Sequence, residues 1–77
     1  MYKKDGKKIN MFRNLEAEII RAGISKGAIA EELKICTKSL YNRLNGSTDW
    51  TIPEMKKLQA MINVSLQTNY TLDYLFG

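Results

Sequence analysis

Apolar residues recur at three- and four-residue intervals along most of this chain, and that spacing predicts a succession of short helices. The first is expected from about Asn10 or Met11 to Ala22, with Phe12, Leu15, Ile19 and Ala22 on its inward stripe and Gly23 as its terminator. Ser25 is a good cap for a second helix, which buries Ile29, Ala30 and Leu33, while Gly27 weakens its first turn. A third buries Leu40 and Leu44 and stops at Asn45-Gly46. Only Lys34, Ile35 and Cys36 lie between the second and the third, which is room for a sharp corner and nothing more. Helices joined that tightly cross steeply, and the small Ala30 lets them approach.

The loop Ser47-Thr48-Asp49-Trp50 follows, with Trp50 expected to anchor it on the core. Thr51-Ile52-Pro53-Glu54 is a capping box with proline in the first turn, where its missing N–H is harmless. The helix it opens is expected to bury Ile52, Met55, Leu58 and Ile62. The polar run from Asn63 to Asn69 reads as a turn region. Thr71 to Phe76 forms a short closing helix whose Leu72, Leu75 and Phe76 cover the bottom of the core. Residues 1–10 are a basic, aperiodic arm. The expected fold is therefore all-α, a compact five-helix bundle over residues 11–77. Seventy-seven residues with 44% hydrophobic content leave no room for a second core.

Turning the third helix so that Leu40 and Leu44 face inward sends Thr37, Lys38, Tyr41 and Asn42 outward. These side chains are polar, hydrogen-bonding or cationic, and none is acidic. A tight helix pair with such an outer face is the physical specification of a helix-turn-helix whose second helix enters the DNA major groove.

Ser25, Ile29, Ala30, Leu33, Ile35, Leu40, Leu44 and the Asn45-Gly46 terminator follow the pattern of the Cro/cI-like (XRE-type) repressors, and the segment resembles that family's helix-turn-helix. Asp49-Trp50-Thr51-Ile52 looks like the loop and cap before the family's fourth helix, and Leu72 to Phe76 like its closing segment, so the likeness spans residues 11–77. It implies a lambda-repressor-like bundle and a transcriptional repressor or regulator of phage or prophage type. It also implies a homodimer on a palindromic operator, assembled in solution or only on DNA. The chain departs from the family pattern at two places. Lys34 stands where the family has glycine for a left-handed turn residue, which costs a side-chain-bearing residue about 1–2 kcal/mol. Cys36 stands where serine or threonine caps the recognition helix, so that Thr37 could take over the cap and start the helix one residue later.

On this reading Thr37, Lys38, Tyr41 and Asn42 are the candidate base contacts. Lys38 can donate to guanine O6 and N7, and Asn42 can pair with adenine N6 and N7. Tyr41 can touch a thymine methyl, a sugar or a phosphate. Ser25, Lys26 and Gly27 open the second helix, where unpaired N–H groups make a natural phosphate site. Ser39, Arg43 and Ser47 are further candidates for phosphate contact, with Arg43 also suited to offset the dipole at its helix end. The plain alternative for each is a solvated surface side chain or a cap.

Charge changes the picture modestly. Residues 1–44 hold ten Lys/Arg against five acids, a net of +5, whereas residues 45–77 are at −1. The basic half is the half with the proposed reading element. One cysteine and no histidine exclude an intrachain disulfide and a Cys/His zinc site. Cys36 is expected as a small, partly buried residue rather than a redox switch, and Met1, Met11, Met55 and Met61 as initiator and core filling. No nucleophile–base pair, glycine-rich phosphate loop or facing carboxylate pair points to an enzyme, a cofactor or a small-molecule substrate. No signal peptide or membrane span is expected, which places the protein in the cytoplasm, at the nucleoid. Two other readings remain: an antitoxin- or antirepressor-type protein-interaction module, marked by an exposed apolar patch around Trp50, Tyr70, Tyr74 and Phe76, and a DNA-bending recombination or excision factor.

Overall fold

The computed structural model describes residues 12–77; the expected arm over residues 1–10, and the helix start at Asn10 or Met11, lie outside them. Five helices follow one another, α1 (Arg13–Ala22), α2 (Lys26–Leu33), α3 (Thr37–Leu44), α4 (Ile52–Leu66) and α5 (Leu72–Phe76), with no strand among the described residues. Leu15 and Ile19 of α1, Ile29, Ala30 and Leu33 of α2, Leu40 and Leu44 of α3, Leu58 and Ile62 of α4 and Leu75 of α5 make one buried cluster. The helical stripes read from the sequence supply nearly all of it. The long α4 is the hub, packed against α1, α2 and α5, while α3 packs its backbone closely on α2 alone.

Local chemistry sets the helix ends. Gly23 closes α1 in the left-handed conformation at φ 71°, with its own N–H on Ile20 O and the N–H of Ile24 on Ile19 O. The same double closure ends α2, but here the left-handed residue is Lys34, at φ 61° and ψ 43°, with Lys34 N–H on Glu31 O and Ile35 N–H on Ala30 O. The corner thus keeps the geometry that favours glycine and holds a strained lysine in it. Lys34→Gly should raise stability by about 0.5–1 kcal/mol, the steric relief being partly offset by the glycine's extra freedom when unfolded. A urea midpoint at or below that of the wild type would rule out strain at this corner.

Several expectations are corrected. Ile52 is 56% exposed, because it is the first residue of α4 and its turn stands beyond the layer in which Leu58 and Ile62 meet the core. Of the expected turn region only Gln67 to Asn69 is one, since α4 continues through Asn63 to Leu66 and closes at Gln67, φ 55°. Asn63 stays helical because its amide reaches past the helix end: Oδ1 accepts from Thr68 Oγ1 and from Tyr70 N, and Nδ2 donates to Tyr70 O. Its side chain organises the turn without leaving the helix. Cys36 is exposed rather than partly buried; it stays the residue before α3, with Thr37 as the first helical position. Its Sγ caps no backbone N–H and lies 3.3 Å from Ser39 Oγ.

Trp50 packs edge-on against Phe76 (5.1 Å between centroids) and Phe12 (6.2 Å), which holds the loop before α4 on the core. Its buried indole N–H has no acceptor among the described residues, so packing alone keeps the ring in place. Trp50, Tyr70 and Phe76 are half-buried and only Tyr74 of that aromatic group is exposed. Glu18 is the core's charged member, 1% exposed. Arg21 Nη1 donates to both its carboxylate oxygens at 3.1 and 3.2 Å, and Tyr74 Oη donates to Oε2 at 2.7 Å. That last bond, with partial burial behind it, raises the phenol above its ordinary pKa and keeps it a donor. Glu18 thereby ties the closing helix α5 to α1. No described helix is long and apolar enough to cross a membrane.

Candidate nucleic-acid interface

Helix α3 has two sides of different chemistry. Leu40 and Leu44 are buried on one, while Thr37, Lys38 and Tyr41 are exposed and Asn42 half-exposed on the other. Thr37 and Tyr41, like Lys38 and Asn42, lie four residues apart and so form two adjacent columns on the outer face. None of α3's eight residues is acidic. Lys38 makes no ion pair within the described residues. The face offers an ammonium, an amide, two hydroxyls and an aromatic ring, which together can meet base edges, methyls and phosphates.

The start of α2 is built alongside it. Ser25 Oγ accepts from Ala28 N at 3.0 Å, and the first intrahelical bond runs from Ile29 N to Ser25 O. The N–H groups of Lys26 and Gly27 precede that bond and have no partner inside the helix. A Cβ at Gly27 would meet nothing within 4 Å, so nothing inside the protein demands glycine there. Lys26 Nζ reaches to 5.7 Å from the centroid of the Tyr41 ring and to 3.6 Å from Glu16 Oε1. The ammonium therefore stands at the meeting point of α1, α2 and the outer face of α3. Ser47 lies exposed on the loop after α3, its N–H on Asn42 O and on Asn45 Oδ1, both at 2.9 Å. Ser25, Lys26, Gly27, Thr37, Lys38, Tyr41, Asn42 and Ser47 are thus on or beside one another's helices and leave their groups accessible.

Arg43 and Ser39 are engaged differently. Arg43 Nε donates to Glu54 Oε1 at 2.9 Å and its Nη1 to Ser39 O at 3.2 Å, with the side chains of Arg43 and Glu54 only 15% and 14% exposed. Ser39 is half-buried and spends its hydroxyl beside Cys36 Sγ. Sequence reasoning placed Arg43 at the helix end but missed its partner, eleven residues on and in another helix. The same Glu54 oxygen also accepts from Thr51 N at 3.0 Å, while Glu54 N donates to Thr51 Oγ1. One carboxylate thus caps α4 and fastens α3 to it, a polar attachment beside the apolar one that Leu40 and Leu44 make in the shared core.

Partial burial pushes the Glu54 carboxyl upward, but the hydrogen bonds from Arg43 and Thr51 and the guanidinium charge outweigh it, leaving the pKa below the ordinary 4.5. A carboxylate lowered in the folded state stabilises the fold at neutral pH, and that contribution fades as pH falls from the ordinary range through the folded value. Glu54→Gln should therefore be less stable than the wild type at neutral pH, with the gap narrowing in acid. A gap independent of pH in urea titrations from pH 7 to about pH 3 would show that the charge at Glu54 contributes nothing.

Among the described residues no three His, Cys, Asp or Glu side chains gather as a metal site. The Cys36 thiol is lowered from its ordinary pKa by hydrogen bonding to the side chain and backbone of Ser39. Comparison with known proteins returns no match for this chain among family models, curated sequences or solved structures.

Proposed function

We propose that this protein binds double-stranded DNA with sequence preference, with α3 lying in the major groove as the recognition helix of a lambda-repressor-like helix-turn-helix, and that it acts as a transcriptional repressor or regulator of phage or prophage type. The observation that carries the reading is the juxtaposition of an acid-free outer face on α3 with the open start of α2, joined through Lys26 and Tyr41. Thr37, Lys38, Tyr41 and Asn42 would contact bases, and Ser25, Lys26, Gly27 and Ser47 phosphates. Arg43, held by Glu54, serves first to set the angle of α3; Ser39 carries its carbonyl partner. The glycine at 27 has its reason in this reading, since it lets a phosphate come close to the N–H groups of α2. The chain is read as a non-enzyme without cofactor, in the cytoplasm, forming a two-fold dimer on a palindromic site.

Selection from randomised duplexes is the direct test. An enriched, two-fold symmetric sequence is the expected result, and no enrichment with folded protein would remove the proposal. On the selected site the affinity should fall steeply with salt. With Lys26 on the backbone and Lys38 in the groove as the two cations of this face, two neutralised charges per subunit correspond to a log–log slope of about −2. A flat response would leave DNA without an electrostatic grip and point to a protein partner.

A further inference from the structure

Lys26 already has an anion in the folded chain. Glu16, on the first turn of α1, brings Oε1 to 3.6 Å from the ammonium, and both side chains are accessible, at 36% and 29% exposure. The same ammonium sits over the Tyr41 ring at 5.7 Å. A carboxylate is thus positioned beside the cation that opens the outer face of α3. Glu16 itself stands outside the core, where Leu15, Glu18 and Ile19 do the packing of α1.

We propose that Glu16 is an intramolecular counter-anion for Lys26: it holds the ammonium over Tyr41 in the unbound protein and gives it up to a DNA phosphate. Glu16 then acts as a positioning residue that limits affinity for polyanions, and it makes the grip at Lys26 an exchange of one anion for another. Because the carboxylate must be displaced or left beside a phosphate, part of the attraction of Lys26 for DNA is spent before binding begins. A half-exposed pair is weak, so the effect is one of tuning. This rests on the DNA-binding reading and concerns the same site.

The test is a double-mutant cycle on the full chain, using Glu16→Gln, Lys26→Ala and the pair, titrated against a mixed-sequence duplex at low salt. Glu16→Gln keeps the helix-forming side chain and removes the charge, and its melting midpoint should stay near that of the wild type. It should bind the duplex about two- to fivefold more tightly, and this gain should largely vanish in the Lys26→Ala background. An equal gain with and without Lys26 would overturn the proposal, because Glu16 would then act only through net charge. Unchanged binding by Glu16→Gln would overturn it too, while leaving DNA binding in place. Failure of all four proteins to bind any duplex would instead overturn the DNA-binding reading, and the counter-anion role with it. Should Glu16→Gln melt early, Glu16→Ser is the second variant, and the same cycle decides.

Discussion

Ala30→Leu is expected to cost about 1–3 kcal/mol of stability, because the added carbons enter a region already filled on two sides. Ala30 is 4% exposed on α2, and α2 packs against both α3 and α4. The larger side chain must push one of them away. Helix α3 is the one that yields, since its backbone comes close to α2 alone and its further hold is Leu40 and Leu44 in the shared core and the Arg43–Glu54 pair. A urea midpoint well below that of the wild type should therefore come with weaker DNA binding than the stability loss explains. The neighbouring Glu31→Leu, on the exposed side of α2, is the control and should stay within about 0.5 kcal/mol. Were Ala30→Leu to unfold at the wild-type midpoint, the helices would not meet at that residue.

Asn42→Ala is expected to lose about 1–3 kcal/mol on a selected operator and little on a scrambled duplex, relaxing preference at one base pair. Its amide lies on the outer face of α3 one turn beyond Lys38, while its carbonyl already receives Ser47 N and Thr48 N, so the backbone around it is held whichever side chain is present. Lys26→Ala should differ in kind. It stands at the start of α2, where the proposed binding mode brings only the sugar-phosphate chain within reach, and its loss should weaken both duplexes by a similar factor. The two variants, titrated side by side at one salt concentration, separate reading from gripping. Equal losses on both duplexes for Asn42→Ala and for Lys38→Ala would mean that α3 does not read bases, and a protein-interaction role would become the better account.

Much of the architecture was legible in the sequence because it depends on near neighbours. The inward stripes of the first three helices, the serine and threonine caps, the capping box at Thr51 and the terminator at Gly23 are all settled within one or two turns of chain. A sharp corner was legible as well, from the three residues between two helical stripes; its left-handed backbone was implied only by the resemblance, and Lys34 adopts it despite its Cβ. Where an expectation failed, a competing local signal misled it. Ile52 looked like a core position by type, and Asn63 like a turn residue by polarity, yet the first lies on an outlying turn and the second serves the turn from inside α4.

What only the tertiary structure decided is who meets whom across helices. The sequence by itself determined that α3 would have an apolar side and a polar, acid-free side, because the period of a helix sorts residues without reference to the rest of the fold. It could not determine that Arg43 turns away to Glu54, that Glu16 stands against Lys26, or that Lys26 reaches Tyr41. It could not determine either that Glu18, an acid of the kind that stays in water, lies buried under Tyr74 with Arg21 at its edge. Each of these depends on the packing of α1, α2, α4 and α5 around the shared core. A charge is placed by the elements that surround it, and its burial becomes tolerable only when distant residues bring it hydrogen bonds.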